Sequence, residues 1–470
     1  MAERSRRKID WLTFSLFLSL VGIGWLMIYT VGYGDDYHEG LNHFLFHTEV
    51  GKQTLWIGIC FFVFFFVYIF DWKFWQVFAY PIFGASMILL VAVLLFGKEI
   101  KGATSWFVFG GFSFQPSEIA KFATCIALAS YLSAFNTNLK HLRHQVISVG
   151  LLLTPLVLIM LQPDAGSALV FLSFFIVLFR EGFPVNYFIF GLSAIALLLL
   201  GILFEPLLLA IGLTALAMLP FLLNREKMQY WLLGWLALLA GGGYLIYTYQ
   251  EKYLLACMGV FGGIWLLLAI LHLSKKDARL IVVSFGALAM SSLLVFASSF
   301  AFNNVLKPHQ QDRINVWLNP SKCDPQGSLY NVLQSKMAIG SGGFNGKGLM
   351  QGNLTRGNFV PEQTTDFIFC TIGEEQGFIG SSAIIFLFLM LLLRIVGLAE
   401  RQRSGFSRAY AYGVAGILFF HVFVNIGMTM GLMPIIGIPL PFISKGGSSL
   451  FGFTILLSLL LKLDQHRYQL

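Results

Sequence analysis

Apolar runs of 18 or more residues recur along this chain, and each is long enough to cross a bilayer as a helix. Within hydrocarbon every backbone amide needs a partner inside the chain, so only helices or closed barrels can span it. The runs are continuous rather than alternating, which excludes a membrane β-barrel. The balance of 57% hydrophobic to 11% charged residues agrees, because a soluble domain carries roughly 25% charged residues. The sequence therefore specifies an all-α polytopic membrane protein.

Fourteen spans are expected, near 12–33, 53–70, 77–97, 117–134, 146–162, 166–181, 186–204, 206–223, 229–248, 253–273, 279–305, 364–394, 409–432 and 447–463. The amino-terminal run resembles a signal peptide but lacks a clear small-residue cleavage site and continues to about Tyr33, so it reads as a retained first span. The net charge of +8 is explained by cytoplasmic loops rich in Lys and Arg, with no need for nucleic acid. With the amino terminus inside, the cytoplasmic segments carry nineteen Lys or Arg and the external ones eleven, six of them in one long loop. Long loops cross largely regardless of charge, which leaves nineteen against five and places both termini inside. The five cysteines have neither metal nor disulfide spacing. No nucleotide-binding glycine motif is present. "HEGLNH" places His38 and His43 five apart, whereas two zinc ligands on one helical face need a separation of four; it reads as a solvated loop.

Acids are scarce, and at the bilayer centre each costs about 2.5–3.5 kcal/mol, so their positions are informative. In "FQPSEIAKF", Pro116 suits a helix start, and Glu118 and Lys121 share a face. They form either an ion pair joining helices or a polar site open to the outer face. In "LQPDAGSAL", Asp164 suits a helix cap. In "VPEQTTDFIFCTIGEEQGFIG", Pro361 suits the first helical position, which would put Glu362 and Asp366 on one face, while Glu374 and Glu375 lie deeper and need buried partners or a polar cavity. In "GIPLPFISKGGSSL", two prolines and two adjacent glycines break a helix where only surrounding protein or a cavity permits it. The long external loop, about Lys307 to Gln363, holds "CDPQGSLYNVLQSKMAIGSGG", whose apolar residues at helical spacing can dock on the membrane domain. Asp324 heads this stretch, with Arg313, Lys322 and Lys336 near it in sequence. A carboxylate among cations suits proton removal from a sugar hydroxyl while an anionic group departs.

Five strings occur in order: "FQPSEIAK", "QPDAGSAL", "DPQGSLYNVLQSKMAIGSGGFNGKG", "PEQTTDFIFCTIGEEQGFIG" and "NIGMTMGLMPIIGIPLPFISKGGSS". Together they resemble the SEDS family (shape, elongation, division and sporulation), and within it the RodA branch. The resemblance covers residues 100–180 and 305–465. It implies a helical bundle with a large extracellular loop, and a peptidoglycan glycosyltransferase of the bacterial inner membrane that polymerises lipid II during cell elongation, using the periplasmic face. The implied partners are a class B penicillin-binding protein, lipid II, the nascent glycan strand and membrane proteins of the elongation complex. In the family the Asp of the "DPxGxxY" string is essential, which nominates Asp324 here as general base for the acceptor GlcNAc 4-hydroxyl. Undecaprenyl diphosphate would leave with inversion at the anomeric carbon. Arg313, Lys121 or Lys336 would meet its charge, a divalent cation (Mg or Mn) would assist, and Glu118 would position Lys121. Ser335, Glu362, Asp366 and Lys445 complete the implied substrate-binding set.

Three departures stand out. The family's "GARRW" is here "GATSW", with Ser105 in place of a cation, and its "SYGGSS" is here "SKGGSS", which introduces Lys445. The family core has about ten spans, and about four more lie within 186–305. The chain divides by sequence into 1–185 and 364–470 as core helices, 186–278 as additional helices, and 279–363 as a span plus the catalytic loop. Two alternatives stand beside the RodA reading: a lipid II flippase, which broken helices and intramembrane charges also suit, and the division homologue FtsW. A scaffold role would leave Asp324 unexplained.

Overall fold

A computed structural model describes residues 9–32, 41–100, 102–109, 112–223, 228–249, 253–273, 278–327 and 329–468. Helices occupy every expected span, and twelve of those in the described residues are long and apolar enough to cross a membrane. The other two fall short for identifiable reasons. Pro116–Leu132 has 17 residues and carries Glu118 and Lys121, and Ala165–Arg180 is interrupted by a 3-10 turn at Phe171–Phe174. The chain separates into two compact units, 1–184 with 323–470, and 185–322. The division falls after Lys322, inside the stretch 279–363 that the sequence analysis grouped together.

The first unit begins with α1 (Trp11–Gly32), α2 (Glu49–Ile69), α3 (Ala79–Phe96), α4 (Pro116–Leu132) and α5 (Leu142–Met160). Between α3 and α4 the strands β1 (Lys98–Ile100), β2 (Ala103–Phe109) and β3 (Phe112–Phe114) form an antiparallel sheet in sequential order. The second unit consists of α6 (Val185–Leu203), α7 (Pro206–Leu223), α8 (Met228–Tyr249), α9 (Leu254–Leu273) and α10 (Ala278–Asn304), followed by the short helix Pro308–Leu318. The first unit then resumes with α11 (Tyr330–Ser341), α12 (Ile368–Glu400), α13 (Gly405–Thr429) and α14 (Gly447–Gln465). Helices α13 and α14 form its centre, with 72% and 83% of their apolar stretches buried; α4 packs between them and α3.

Helix α12 is broken at Gly377, where φ is 65°. The segment 343–348 is inserted at the break. Lys347 and Gly348 N–H donate to the carbonyls of Glu374 and Glu375 at 3.1 and 2.9 Å, and Phe378 and Ile379 N–H donate to Gly343 and Phe344 at 2.9 and 3.2 Å. The backbone groups released by the break are thus satisfied within the protein, as a membrane-embedded break requires. Only glycine suits position 377, because a Cβ there would strike the Gly346 amide.

Of the "HEGLNH" string, His38 lies outside the described residues. His43 belongs to the helix Leu41–His47 rather than to a loop.

Candidate active site

Asp324 lies at the start of a turn and is exposed. Its Oδ1 accepts from Gln326 N–H at 3.0 Å and its carbonyl accepts from Gly327 N–H at 3.1 Å, the local turn that Asp-Pro favours. The carboxylate makes no ion pair among the described residues. Arg313 is exposed on the helix Pro308–Leu318 of the second unit.

Beyond the turn, α11 is tied down. The buried Ser335 hydroxyl donates to Thr429 O of α13 at 2.9 Å, so Ser335 is a tether between helices and has no exposed surface for substrate. Lys336, one residue on, is exposed and its ammonium lies against Gly431. A second tie is the Glu374 carboxylate, 0% exposed. It accepts from Lys347 Nζ at 2.6 Å, Leu354 N–H at 3.0 Å, Thr355 N–H at 2.8 Å and the Thr355 hydroxyl at 2.7 Å. The buried partners that the sequence demanded for Glu374 come from the loop itself. Glu375 beside it is equally buried.

Glu118 and Lys121 do pair, with Lys121 Nζ 2.9 and 2.8 Å from the two carboxylate oxygens. They are 3% and 1% exposed, so the pair is buried within α4 rather than open to the outer face. His421 of α13, which the sequence reading passed over, joins them. Its Nδ1 lies 3.1 Å from Pro439 O, which only an N–H can serve, so Nδ1 carries the proton and Nε2 accepts from Lys121 Nζ at 3.0 Å. The Phe453 ring faces the ammonium at 5.3 Å.

The expected helix start at Pro361 is also corrected. Residues 361–367 form turns, α12 begins at Ile368, and Glu362 has φ 57°. Glu362 and Asp366 therefore do not share a helical face. The carbonyls of this stretch are taken by distant groups: Lys445 N–H donates to Thr364 O at 2.8 Å, the Ser444 hydroxyl to Thr365 O at 2.5 Å, and Asn425 Nδ2 to Asp366 O at 2.8 Å. Glu362 is exposed and holds Thr365 Oγ1 at 3.0 Å; Asp366 is half-buried.

The broken segment 437–446 is where these groups meet. Asn425 also donates to Ile438 O at 2.7 Å, His421 reaches Pro439 O, and Lys445 Nζ pairs with Glu49 of α2 at 2.5 Å. As the sequence required, protein surrounds this irregular backbone, and Phe442 and Ile443 are buried. Asp164 caps its helix by accepting from Ser167 N–H at 3.1 Å, and it also accepts from Gln115 Nε2 at 2.7 Å. Ser105, which stands in place of the family cation, is buried in β2.

No group of three or more His, Cys, Asp or Glu side chains converges among the described residues. The described residues thus offer no such cage for a metal. An exposed single carboxylate such as Asp324 fits the other mode of Mg²⁺ binding, in which one or two carboxylates act with water and substrate phosphates.

The family model described as "Cell cycle protein", which groups FtsW, RodA and SpoVE, matches residues 10–231 and 255–469. The chain is 32% identical over 466 residues to "Peptidoglycan glycosyltransferase RodA" of Treponema pallidum (strain Nichols), covering 99% of each. It is also 32% identical over 378 residues to "Peptidoglycan glycosyltransferase MrdB" of Escherichia coli (strain K12), covering 79% of this chain and 75% of that one. A solved structure described as "Structural coordination of polymerization and crosslinking by a peptidoglycan synthase complex" contains a similar chain, with a TM-score of 0.64, 26% identity, and coverage of 98% of this chain and 99% of that. The rod shape determining protein RodA of Thermus thermophilus shares the fold, with a TM-score of 0.56, 22% identity and 98% of each chain covered. From its first helix to its last, interrupted only at residues 232–254, the chain meets that family model, and it belongs to the FtsW/RodA/SpoVE family, the SEDS proteins.

Proposed function

We infer that this multi-pass membrane protein is a peptidoglycan glycosyltransferase of the RodA type. The observation that carries the reading is 32% identity extending over 99% of both chains to a protein of that name. The substrate is lipid II and the growing strand attached to undecaprenyl diphosphate. The acceptor 4-hydroxyl oxygen attacks the anomeric carbon of the donor strand, its proton passes to Asp324, and the bond to the diphosphate oxygen breaks with inversion. Support for Asp324 comes from its exposure at the head of a segment tied to α12 and α13. Lys336, exposed on the same segment, is assigned to the diphosphate charge. Lys121 is too buried for direct contact and positions α4 against α13 and α14. Mg²⁺ or Mn²⁺, when bound, would neutralise charge on the leaving diphosphate, with Asp324 as the residue to hold it.

The reading places the protein in the inner membrane with both termini cytoplasmic and Asp324 on the outer face, beside a class B penicillin-binding protein within the elongation complex. The test is polymerisation of lipid II by the purified protein with that partner, read as glycan strands on a gel. Asp324→Asn should lower the rate by at least about 10²-fold, the low end for a positioned base. Wild-type turnover by that variant would end the assignment. A wild-type protein that moves lipid II across vesicles without polymerising it would establish the flippase instead.

A further inference from the structure

We propose that the first unit carries a phospholipid headgroup site where α2 and α14 end, built for phosphoethanolamine: Lys462 and Lys73 take the phosphate and Asp71 takes the ammonium. The site is separate from the one assigned to polymerisation and does not depend on that assignment.

Helix geometry sets its position. Helix α2 starts at Glu49, which pairs with Lys445 of the broken segment 437–446, and ends at Ile69. Its 21 residues, at about 1.5 Å each, put that end about 30 Å away. Helix α14 packs alongside α2 and ends at Gln465. Asp464, near that end, shares Arg401 with Asp10, which precedes α1. The start of the first span and the end of the last therefore meet at this level.

Beside the two helix ends lies a cavity of ≈ 630 Å³ whose lining includes Tyr68, Asp71, Trp72, Lys73, Lys462 and His466. That size is usual for small-ligand sites, about 300–1,000 Å³. Lys462 is 4% exposed. Its ammonium donates to Val67 O and Tyr68 O at 3.2 and 2.9 Å, which caps the last turn of α2 and uses two of its three N–H groups. No carboxylate pairs with it among the described residues, and Asp464 is held by Arg401 and Arg467. A buried cation held by carbonyls alone lacks a counter-charge, and the cavity it lines can receive one. Lys73 is exposed, with its ammonium over the Trp72 ring at 5.5 Å. His466 Nδ1 lies 2.9 Å from Lys462 O, so Nδ1 carries the proton and Nε2 is open to a ligand.

Asp71 disfavours a purely anionic occupant. Its carboxylate is exposed, makes no cap for the helix Trp72–Val77, and joins no ion pair among the described residues. A phosphate alone would face this carboxylate. A phosphate joined through two carbons to an ammonium gives each charge a partner. The surroundings favour a lipid as its source. Phe65, Phe66 and Ile69, in the last turns of α2, are exposed, on a span whose outer surface meets hydrocarbon. Tyr68 and Trp72 suit headgroup depth, and basic pockets between helices at that depth take lipid headgroups. The acyl chains lie along the apolar face of α2 while the headgroup turns into the cavity.

The test uses the full-length protein in nanodiscs of phosphatidylethanolamine, phosphatidylcholine and phosphatidylglycerol in equal parts. Native mass spectrometry reads the retained lipid. Phosphatidylethanolamine should be retained above the other two, because phosphatidylcholine offers Asp71 no N–H and phosphatidylglycerol offers it no cation. Asp71→Asn, at an exposed position, should lower the ratio of retained phosphatidylethanolamine to phosphatidylcholine about fivefold, with melting as in the wild type. Lys462→Met should lower retention of phosphatidylethanolamine by at least as much. Lys73→Gln, at an exposed position, should lower it likewise and serves if Lys462→Met does not fold. Equal retention of the three lipids, an unchanged ratio in Asp71→Asn, unchanged retention in the folded lysine variants, or displacement of the lipid by inorganic phosphate would each overturn the proposal.

Discussion

The buried Glu118–Lys121 pair allows a direct test of whether Lys121 ties helices together or handles substrate. Its side chains are 4% and 1% exposed and 2.8 Å apart. At an effective dielectric of about 20 their attraction is about 6 kcal/mol before desolvation is counted. Desolvation offsets most of this in the intact pair. Lys121→Met removes the ammonium that faces both carboxylate oxygens and leaves the Glu118 carboxylate buried without its cation. That change should cost about 3–5 kcal/mol. Glu118→Gln with Lys121→Met removes both charges and should recover most of the loss, leaving a deficit of about 1–3 kcal/mol for the unpaired His421 Nε2. The assay is thermal unfolding in one detergent at one scan rate, because membrane proteins often unfold irreversibly. The expected order of melting is wild type, then double variant, then Lys121→Met, with polymerisation recovering in step with stability. Wild-type melting by Lys121→Met would refute the buried pair. A double variant that melts near the wild type yet makes no polymer would refute the positioning role and put Lys121 on the substrate.

Glu374→Ala strands the Leu354 and Thr355 amides and Lys347; a loss of about 3–5 kcal/mol is expected, seen as faster amide exchange in residues 347–356 than elsewhere. Lys445→Gln breaks a pair whose members are 25% and 47% exposed, so melting should change by no more than the equivalent of about 1 kcal/mol, whatever the effect on turnover. Asp10 supplies a pH dependence. Burial alone would raise its carboxyl, but hydrogen bonds from Arg394 and Thr13 outweigh this and hold it well below the usual carboxylate range. The folded chain therefore binds that proton more weakly than the unfolded one. The stabilisation is complete above about pH 4 and fades as pH falls further. Asp10→Asn should melt lower than the wild type at neutral pH, and the gap should narrow in acid.

The spans were legible because continuous apolar runs leave a chain few options in a bilayer. Both helices that fell short of the length or hydropathy of a span carry the reason in their letters: Glu118 and Lys121 in α4, and the turn at Phe171–Phe174 after the Asp164 cap. The helix start after Pro361 was misplaced because local rules see proline and acids, whereas Lys445, Ser444 and Asn425, some 60 to 80 positions away, hold the carbonyls of 364–366. The break at Gly377 was hidden likewise, since a glycine within an apolar run signals nothing until segment 343–348 is known to insert there. His421 passed as one polar letter in "LFFHVFVN"; the available signal was that an ionisable residue within a span is a functional candidate by default.

Asp324 is singled out by the sequence for the opposite reason. Its local structure explains only a turn, and that turn is present. The acids that looked comparable, Glu118, Asp164 and Glu374, all have their charge or hydrogen-bonding capacity consumed by partners inside the fold. A carboxylate so engaged has little left to offer a substrate hydroxyl, whereas Asp324 is held, among the described residues, only by an amide of its own turn. The ties at Ser335, Glu374 and 343–348 lie on the carboxyl-terminal side of Asp324 and fix the segment without enclosing the acid. The fold thus separates two demands that oppose each other at a single residue: charges that hold the bundle together are buried and paired, and the charge assigned to chemistry is left open for substrate to cover.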